Sequence, residues 1–202
     1  MEISTKMTTT TPFYIRPATT GDVLDISNIA RVSFMETYSP LTEEQKTYMN
    51  TSYSNTIVGG WVSNPNMIVY CCVVEEHITD MIDGDKIGKI GKIVGFAVLV
   101  LPGGQLESDN VPKKQAEVGK LYILSGYKRR GIGKSFIQTL EMECKTLGIK
   151  KIYLGVYHGN INAINFYTVV GFKQSSKPIM FSRNRRMVMN MKLYKKIKKD
   201  KV

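Results

Sequence analysis

The decapeptide GYKRRGIGKS, residues 126–135, gathers three glycines, four basic side chains and a serine. Glycines let the backbone turn so that successive N–H groups converge on one point. A helix starting just after such a turn adds the partial positive charge of its N-terminus. Lys128, Arg129, Arg130 and Lys134 add full charges. Together these groups suit a phosphate cluster or a pyrophosphate, with no metal ion required. Two familiar phosphate patterns do not fit. The GxxxxGK(S/T) loop is met at Gly133, Lys134 and Ser135 but needs glycine at 128, where Lys128 stands, and no later strand ends in a candidate magnesium-binding Asp. The GxGxxG fingerprint is met at Gly131 and Gly133 but fails at Phe136.

Other chemistries find less support. No Ser-His-Asp or Cys-His constellation is visible, and His77 and His158 each stand alone. Cys71 and Cys72 are adjacent within an apolar run and Cys144 lies mid-helix, so three buried thiols in a reducing, intracellular setting are expected rather than a disulfide framework. No metal-ligand spacing occurs.

The elements that must position the loop read as follows. Residues 13–18 form a first strand. A helix covers 19–34, capped by Thr20 or Asp22, with Val23, Ile26, Ile29, Ala30 and Phe34 at helical spacing. After Pro40 a polar helical stretch in two pieces begins at Thr42. Strands are expected at 67–76, 92–101, 116–124, 150–157 and 187–194, with turn signals between the first two and a surface loop over 101–114. A helix covers 135–149, with Phe136, Leu140 and Leu147 along one face and Gly148 as its stop. A short helix covers 160–172 and ends at Gly171. This order gives a mixed α+β or α/β fold with a strand–loop–helix phosphate site at its centre. Residues 1–11 read as disordered, 12–195 as one domain and 196–202 as a basic tail.

Composition bounds the partners. The chain has 202 residues, 43% hydrophobic and 22% charged, as in soluble globular proteins. Its apolar runs are strand-length, too short to span a membrane, and the N-terminus lacks the apolar core of a signal peptide. The net charge of +11 is uneven: residues 1–118 carry 9 Lys/Arg and 14 Asp/Glu, residues 119–202 carry 19 and 3. A basic half reads either as a nucleic-acid surface or as the seat of a polyanionic small ligand. No aromatic-interleaved surface supports the first, so nucleic acid is disfavoured. The tail reads as a solvated terminus or a nuclear address, and the location as cytoplasmic with the nucleus open.

At this point the sequence resembles a family. YKRRGIGKS is similar to the Q/R-x-x-G-x-G/A signature of the GNAT superfamily of N-acetyltransferases, with Lys128 where Gln or Arg is usual. NINAINFYTVVGF resembles that family's N-x-x-A-x-x-(L/F)-Y-x-x-x-G-F stretch, with Asn160, Ala163, Phe166, Tyr167, Gly171 and Phe172 in register. SFMETY and LGVYHGNINAINFY further resemble the PaiA-type spermidine/spermine acetyltransferases.

The resemblance implies a twisted, mostly antiparallel mixed sheet whose central parallel pair, 116–124 and 150–157, splays to admit the pantetheine arm of acetyl-CoA. Leu121, Tyr122 and Ile123 would offer backbone groups to that arm. Lys128, Arg129, Arg130, Gly131, Ile132, Gly133, Lys134 and Ser135 would line the pyrophosphate. Asn160, Ala163 and Phe166 would flank the cofactor, with Asn160 as hydrogen-bond partner or helix cap. Tyr167 would protonate the leaving thiolate. The base is open between Glu117 and a water relay through it, Tyr122 or Tyr157, because Gly119 stands where PaiA-like sequences carry Glu. Phe34, Glu36, Tyr38 and Tyr157 would line the acceptor cleft. The expected reaction is direct transfer from acetyl-CoA to a primary amine, a polyamine such as spermidine or spermine first. Protein N-termini or lysines are the alternative acceptors, and a non-catalytic acyl-CoA-binding or nucleic-acid-binding protein is the alternative of another class. A homodimer through the last strands fits the same resemblance.

Overall fold

A computed structural model describes residues 12–78, 88–104, 106, 111–176, 179–183 and 186–197. The start expected to be disordered, the turn between the second and third strands and the end of the basic tail lie outside the described residues.

The chain runs β1 (Phe13–Pro17), α1 (Val23–Tyr38), α2 (Glu43–Ser52), α3 (Asn55–Ser63), β2 (Met67–Ile78), β3 (Gly88–Val100), β4 (Gln115–Ile123), α4 (Ile132–Thr146), β5 (Lys151–Tyr157), α5 (Ile161–Val169), β6 (Lys173–Gln174), β7 (Ile179–Arg183) and β8 (Arg186–Lys196). One eight-stranded sheet takes the order β1-β2-β3-β4-β5-β8-β6, and β7 also pairs with β8. β4 and β5 pair in parallel, and the other pairings are antiparallel.

Helices cover both faces of the sheet, so the central strands alternate between two buried environments rather than between core and water. Phe136, Ile137, Leu140 and Cys144 of α4 pack with Cys72, Val74, Ala116, Val118, Ile152 and Leu154. On the opposite face, Ile26, Ile29, Ala30 and Phe34 of α1 join Tyr53, Val58 and Trp61 against Cys71, Val73, Phe96, Val98 and Tyr153. The neighbours Cys71 and Cys72 therefore enter different cores. All three cysteines are buried and free, and burial pushes each thiol up to about 12.

Local chemistry accounts for the element ends. Thr42 Oγ1 accepts from the Gln45 amide (3.2 Å), and the Thr42 amide donates to Gln45 Oε1 (2.9 Å), a reciprocal cap that starts α2. Gly148 stops α4 with φ +66°, a left-handed position suited to glycine. Leu147, expected along the buried face of α4, is instead 46% exposed because the helix ends one residue earlier and Leu147 is its C-cap. Ile137 and Cys144 complete that face. The strand expected from 92 begins at Gly88, and β6 and β7 extend the single terminal strand into a three-strand edge.

At the start of α1 neither Thr20 nor Asp22 caps with its side chain: Asp22 takes the N-cap position, but its carboxylate turns back to Thr19 and Arg16. Its carboxylate accepts from the Thr19 amide (2.7 Å) and hydroxyl (3.0 Å) and takes both Arg16 guanidinium nitrogens at 2.7 and 2.8 Å. These bonds, Arg16 foremost, lower the carboxyl from 3.8 to about 2. A depressed folded-state value adds stability above the unfolded value and loses it as pH falls towards the folded one. Asp22→Asn is therefore expected to cost about 1–2 kcal/mol at neutral pH, allowing for screening at the partly exposed Arg16. The gap from wild type in urea midpoint should shrink between pH 4 and pH 2. A gap that holds constant to pH 2 would show that the ion pair is not its source.

Candidate active site

The parallel ladder between β4 and β5 is three residues long: Gln115, Ala116 and Glu117 face Lys151, Ile152 and Tyr153. β4 then runs on to Ile123 paired with β3, and β5 to Tyr157 paired with β8, without pairing with each other. The separation starts beside a bulge. Val118 pairs with Leu99 and Lys120 with Val98, which leaves Gly119 as the extra residue on β4. Beyond the bulge the Leu124 amide donates to Val94 of β3 at 2.9 Å. Antiparallel alternation then turns the peptide groups of Tyr122 towards β3 and those of Leu121 and Ile123 towards the open side. Side chains divide likewise. Leu121 and Ile123 pack with the α4–α5 core, and Tyr122 with the α1–α3 core.

The gap leads into the glycine-rich loop. One tight turn, Ser125–Tyr127, follows β4. Arg129 (φ +65°) and Gly131 (φ +88°) are left-handed, and Gly131 is the N-cap of α4. The first helical bond runs from the Ser135 amide to the Gly131 carbonyl. The amides of Arg129 through Lys134 donate to no described residue. They form a row of donors at a helix start that suits an anion. Ile132 contributes only its amide, since its side chain is buried. Gly133 leaves little room: a Cβ there would lie 3.0 Å from Phe166 Cζ of α5. The Arg130 guanidinium lies 5.1 Å from the centre of the Tyr127 ring. Glu36, at the end of α1, accepts from Ser125 Oγ (2.6 Å) and Lys128 Nζ (3.1 Å). The Ser125 hydroxyl first, and then Lys128, hold its carboxyl below the usual range. Glu36 thus ties α1 to the loop.

On the far side of the gap, Asn160 Oδ1 accepts from the Ala163 amide at 3.1 Å and caps α5. Tyr167, one turn on, packs its ring on Phe166 and Phe172. Burial chiefly, and Tyr122 secondarily, raise its hydroxyl above the ordinary tyrosine value. On the α1–α3 face, Glu117 is 3% exposed where the ladder ends. Its charge opposes the lowering of the Lys192 ammonium by burial and Lys151. Tyr38 and Tyr157 approach with ring centres 6.4 Å apart. Phe34 is buried, packing on Tyr38, Tyr48 and Tyr53, so it places the neighbours of the cleft. Among the described residues, no three His, Cys, Asp or Glu side chains cluster to hold a metal ion. No helix among them is long and apolar enough to cross a membrane.

The model of the acetyltransferase (GNAT) family matches residues 32–172, more than half of the chain. The chain belongs to the GNAT family. This acetyltransferase is 22% identical over 162 residues to an uncharacterised N-acetyltransferase from the pepI 3′ region of Lactobacillus delbrueckii subsp. lactis, covering 78% of this chain and 83% of the relative. Its fold is similar to the crystal structure of the PaiA N-acetyltransferase of Thermoplasma acidophilum in complex with coenzyme A, with TM-score 0.68, 21% identity and coverage of 92% and 99% of the two chains. It is similar also to the spermidine N-acetyltransferase of Vibrio cholerae in complex with CoA and spermine, with TM-score 0.56, 16% identity and coverage of 92% and 95%. The mixed, mostly antiparallel sheet with a splayed parallel pair is the expected GNAT arrangement.

Sequence reasoning missed two side chains of this region of the acetyltransferase. Ser125 precedes the recognisable motif, and Tyr53 sits in a polar stretch, TSYSN, that carries no motif. Gly119 also acquires a reason. A Cβ there would lie 2.6 Å from Leu106 Cδ2 and 3.0 Å from Val100 Cγ2, so a side chain at the bulge would have to displace them. Gly119→Ala is expected to lower stability by about 1–2 kcal/mol through overpacking. Leu106→Ala in the same chain should return part of that loss, measured as denaturation midpoints. A fully additive loss would show that Leu106 is not what closes the position.

Proposed function

We propose that this acetyltransferase moves an acetyl group from acetyl-CoA to a primary amine by direct transfer in a ternary complex. One observation carries the reading: the β4–β5 splay runs straight into the row of amides Arg129–Lys134 that donate to no described residue. The residues fit the cofactor. Leu121 and Ile123 turn peptide groups to the gap, where an extended amide-bearing arm can pair with them as a strand would. The amides of Arg129 to Lys134, with the cations of Lys128, Arg129, Arg130 and Lys134, hold a pyrophosphate. Bound there, acetyl-CoA supplies the acetyl group as a thioester.

The protein's own groups then manage two protons. The incoming amine is an ammonium in water and must lose a proton before its nitrogen can form the C–N bond. Glu117, on the acceptor face at the closed end of the splay, is the base, directly or through water. The sulfur released as the C–S bond breaks needs a proton. Tyr167 holds one at neutral pH, as a phenol does, and burial raises its hydroxyl further. Tyr38 and Tyr157 line the approach for the amine.

Among acceptors, polyamines such as spermidine or spermine come first, supported by the SFMETY stretch and by the similarity to the Vibrio cholerae enzyme. A specific observation favours peptide amines as a second reading. Glu36, the acidic side chain of SFMETY, is engaged by Ser125 and Lys128, and Lys120 is buried on the acceptor face.

The test is thiol release from acetyl-CoA with spermidine, spermine, diamines, lysine and short peptides. Turnover with the polyamines supports the first reading, and turnover with peptides alone moves the acceptor to the second. Tyr167→Phe should lower kcat by about 100-fold or more while KM for acetyl-CoA holds. A phenylalanine variant as fast as wild type removes Tyr167 from the acid role.

A further inference from the structure

Tyr53 lies outside both motifs, yet it is among the most firmly held side chains in the molecule. It is the C-cap of α2 and 0% exposed. Its carbonyl accepts from Ser27 Oγ at 2.5 Å and from Arg31 Nε at 3.2 Å, both on α1. Its ring meets Phe34, Tyr48, Trp61 and Tyr122 edge-on, with centres 5.8–6.2 Å apart. A buried phenol must also place its hydroxyl. Tyr53 Oη lies 3.0 Å from Tyr122 Oη, across 69 residues of sequence. Tyr122 is held in turn by an edge contact with Phe96 at 5.6 Å. Lys120 Nζ lies 5.4 Å over the Tyr53 ring. Either hydroxyl can donate in the bond that Tyr53 and Tyr122 share.

Tyr122 is the residue between Leu121 and Ile123, at the splay itself. We propose that Tyr53 is a positioning residue for acetyl transfer, acting through the Tyr122 hydroxyl, which it fixes at the rim of the β4–β5 gap. The proposal rests on reading that gap as the transfer site. The electrostatic contact between Tyr122 and Tyr167 agrees with this placement. Without the Tyr53 hydroxyl, the Tyr122 ring keeps its position but its hydroxyl loses the bond that ties it to the α1–α3 layer. Acetyl-CoA and amine bind as before, while the step that needs the ordered hydroxyl slows.

Three variants test this: Tyr53→Phe, Tyr122→Phe and the double variant, each keeping the ring packing. Each single change should lower kcat about tenfold, a hydrogen bond's effect, with both KM values within twofold. The double variant should be no slower than the slower single one, because both remove one bond. Multiplied losses overturn the proposal. So does an unchanged kcat in Tyr53→Phe, or a Tyr53→Phe loss matched by a fall in melting temperature and a rise in both KM values. Tyrosine labelled with carbon-13 at Cζ separates this result from the function reading. If wild type acetylates no amine, the transfer-site reading fails. The Tyr122 signal in Tyr53→Phe then decides the contact alone: a displaced signal keeps Tyr53 as its anchor, and an unmoved one removes it.

Discussion

The three-residue ladder between β4 and β5 is the constraint on which the rest of the structure depends. A parallel pair that continued through Ile123 and Tyr157 would consume its own peptide groups and leave no room between the strands. Stopping it leaves backbone donors and acceptors that would be costly if buried without partners. The bulge at Gly119 sets the stop. It shifts the register with β3, re-aims the strand and decides which peptide groups of the following residues look outward. The close approach of Leu106 and Val100 then crowds any side chain at 119. Packing, not left-handed backbone, is what favours glycine at this position.

The two helical layers serve different sides of that gap. α4 and α5 bring the glycine turn, the Asn160 cap and Tyr167 from one face, and α1 to α3 bring a wall of aromatic rings from the other. The layers are coupled at the loop. Glu36, from the second layer, grips Ser125 and Lys128 at 2.6 and 3.1 Å. Exposed ion pairs contribute little stability, so the consequence of this clamp is positional. It draws the first cation of the loop towards α1 and leaves the amides beyond it to face the gap. In the same layer Tyr53 reaches Tyr122, so two contacts from the aromatic side bear on opposite ends of the segment from 122 to 128.

The parts of this arrangement that were legible in the sequence are those whose physics is local. Gly131 and Gly148 announce turns because left-handed backbone favours glycine there, and both adopt it. Asn160 reads as a cap because a short acceptor at a helix start satisfies an amide, and it does so at Ala163. The α1 face appears in the spacing of Ile26, Ile29, Ala30 and Phe34, all buried. What could not be read depends on register and on contacts far apart in sequence. The facing of Tyr122 follows from a bulge and from the Leu124–Val94 bond. Glu36 finds Ser125 across 89 residues. β6 and β7 are short, and their pairing is specified by β8 rather than by their own composition. Leu147 kept the helical period but fell one residue beyond the helix.

Burial of the thiols bears on the ways an acetyl group could travel. A thiol at about 12 is protonated throughout the neutral range, and each of the three cysteines is in that state because burial disfavours the thiolate. A protonated, buried thiol is a poor nucleophile, so an acetyl-cysteine intermediate has no carrier at these positions. The nucleophile in the proposed reaction is then the acceptor nitrogen itself, and protein groups are left with proton transfer. Tyr167 needs no such shift to hold its proton, since a phenol is protonated throughout the neutral range. Desolvation thus disfavours the thiolate at all three sulfur atoms, in keeping with the proposed direct transfer to the amine.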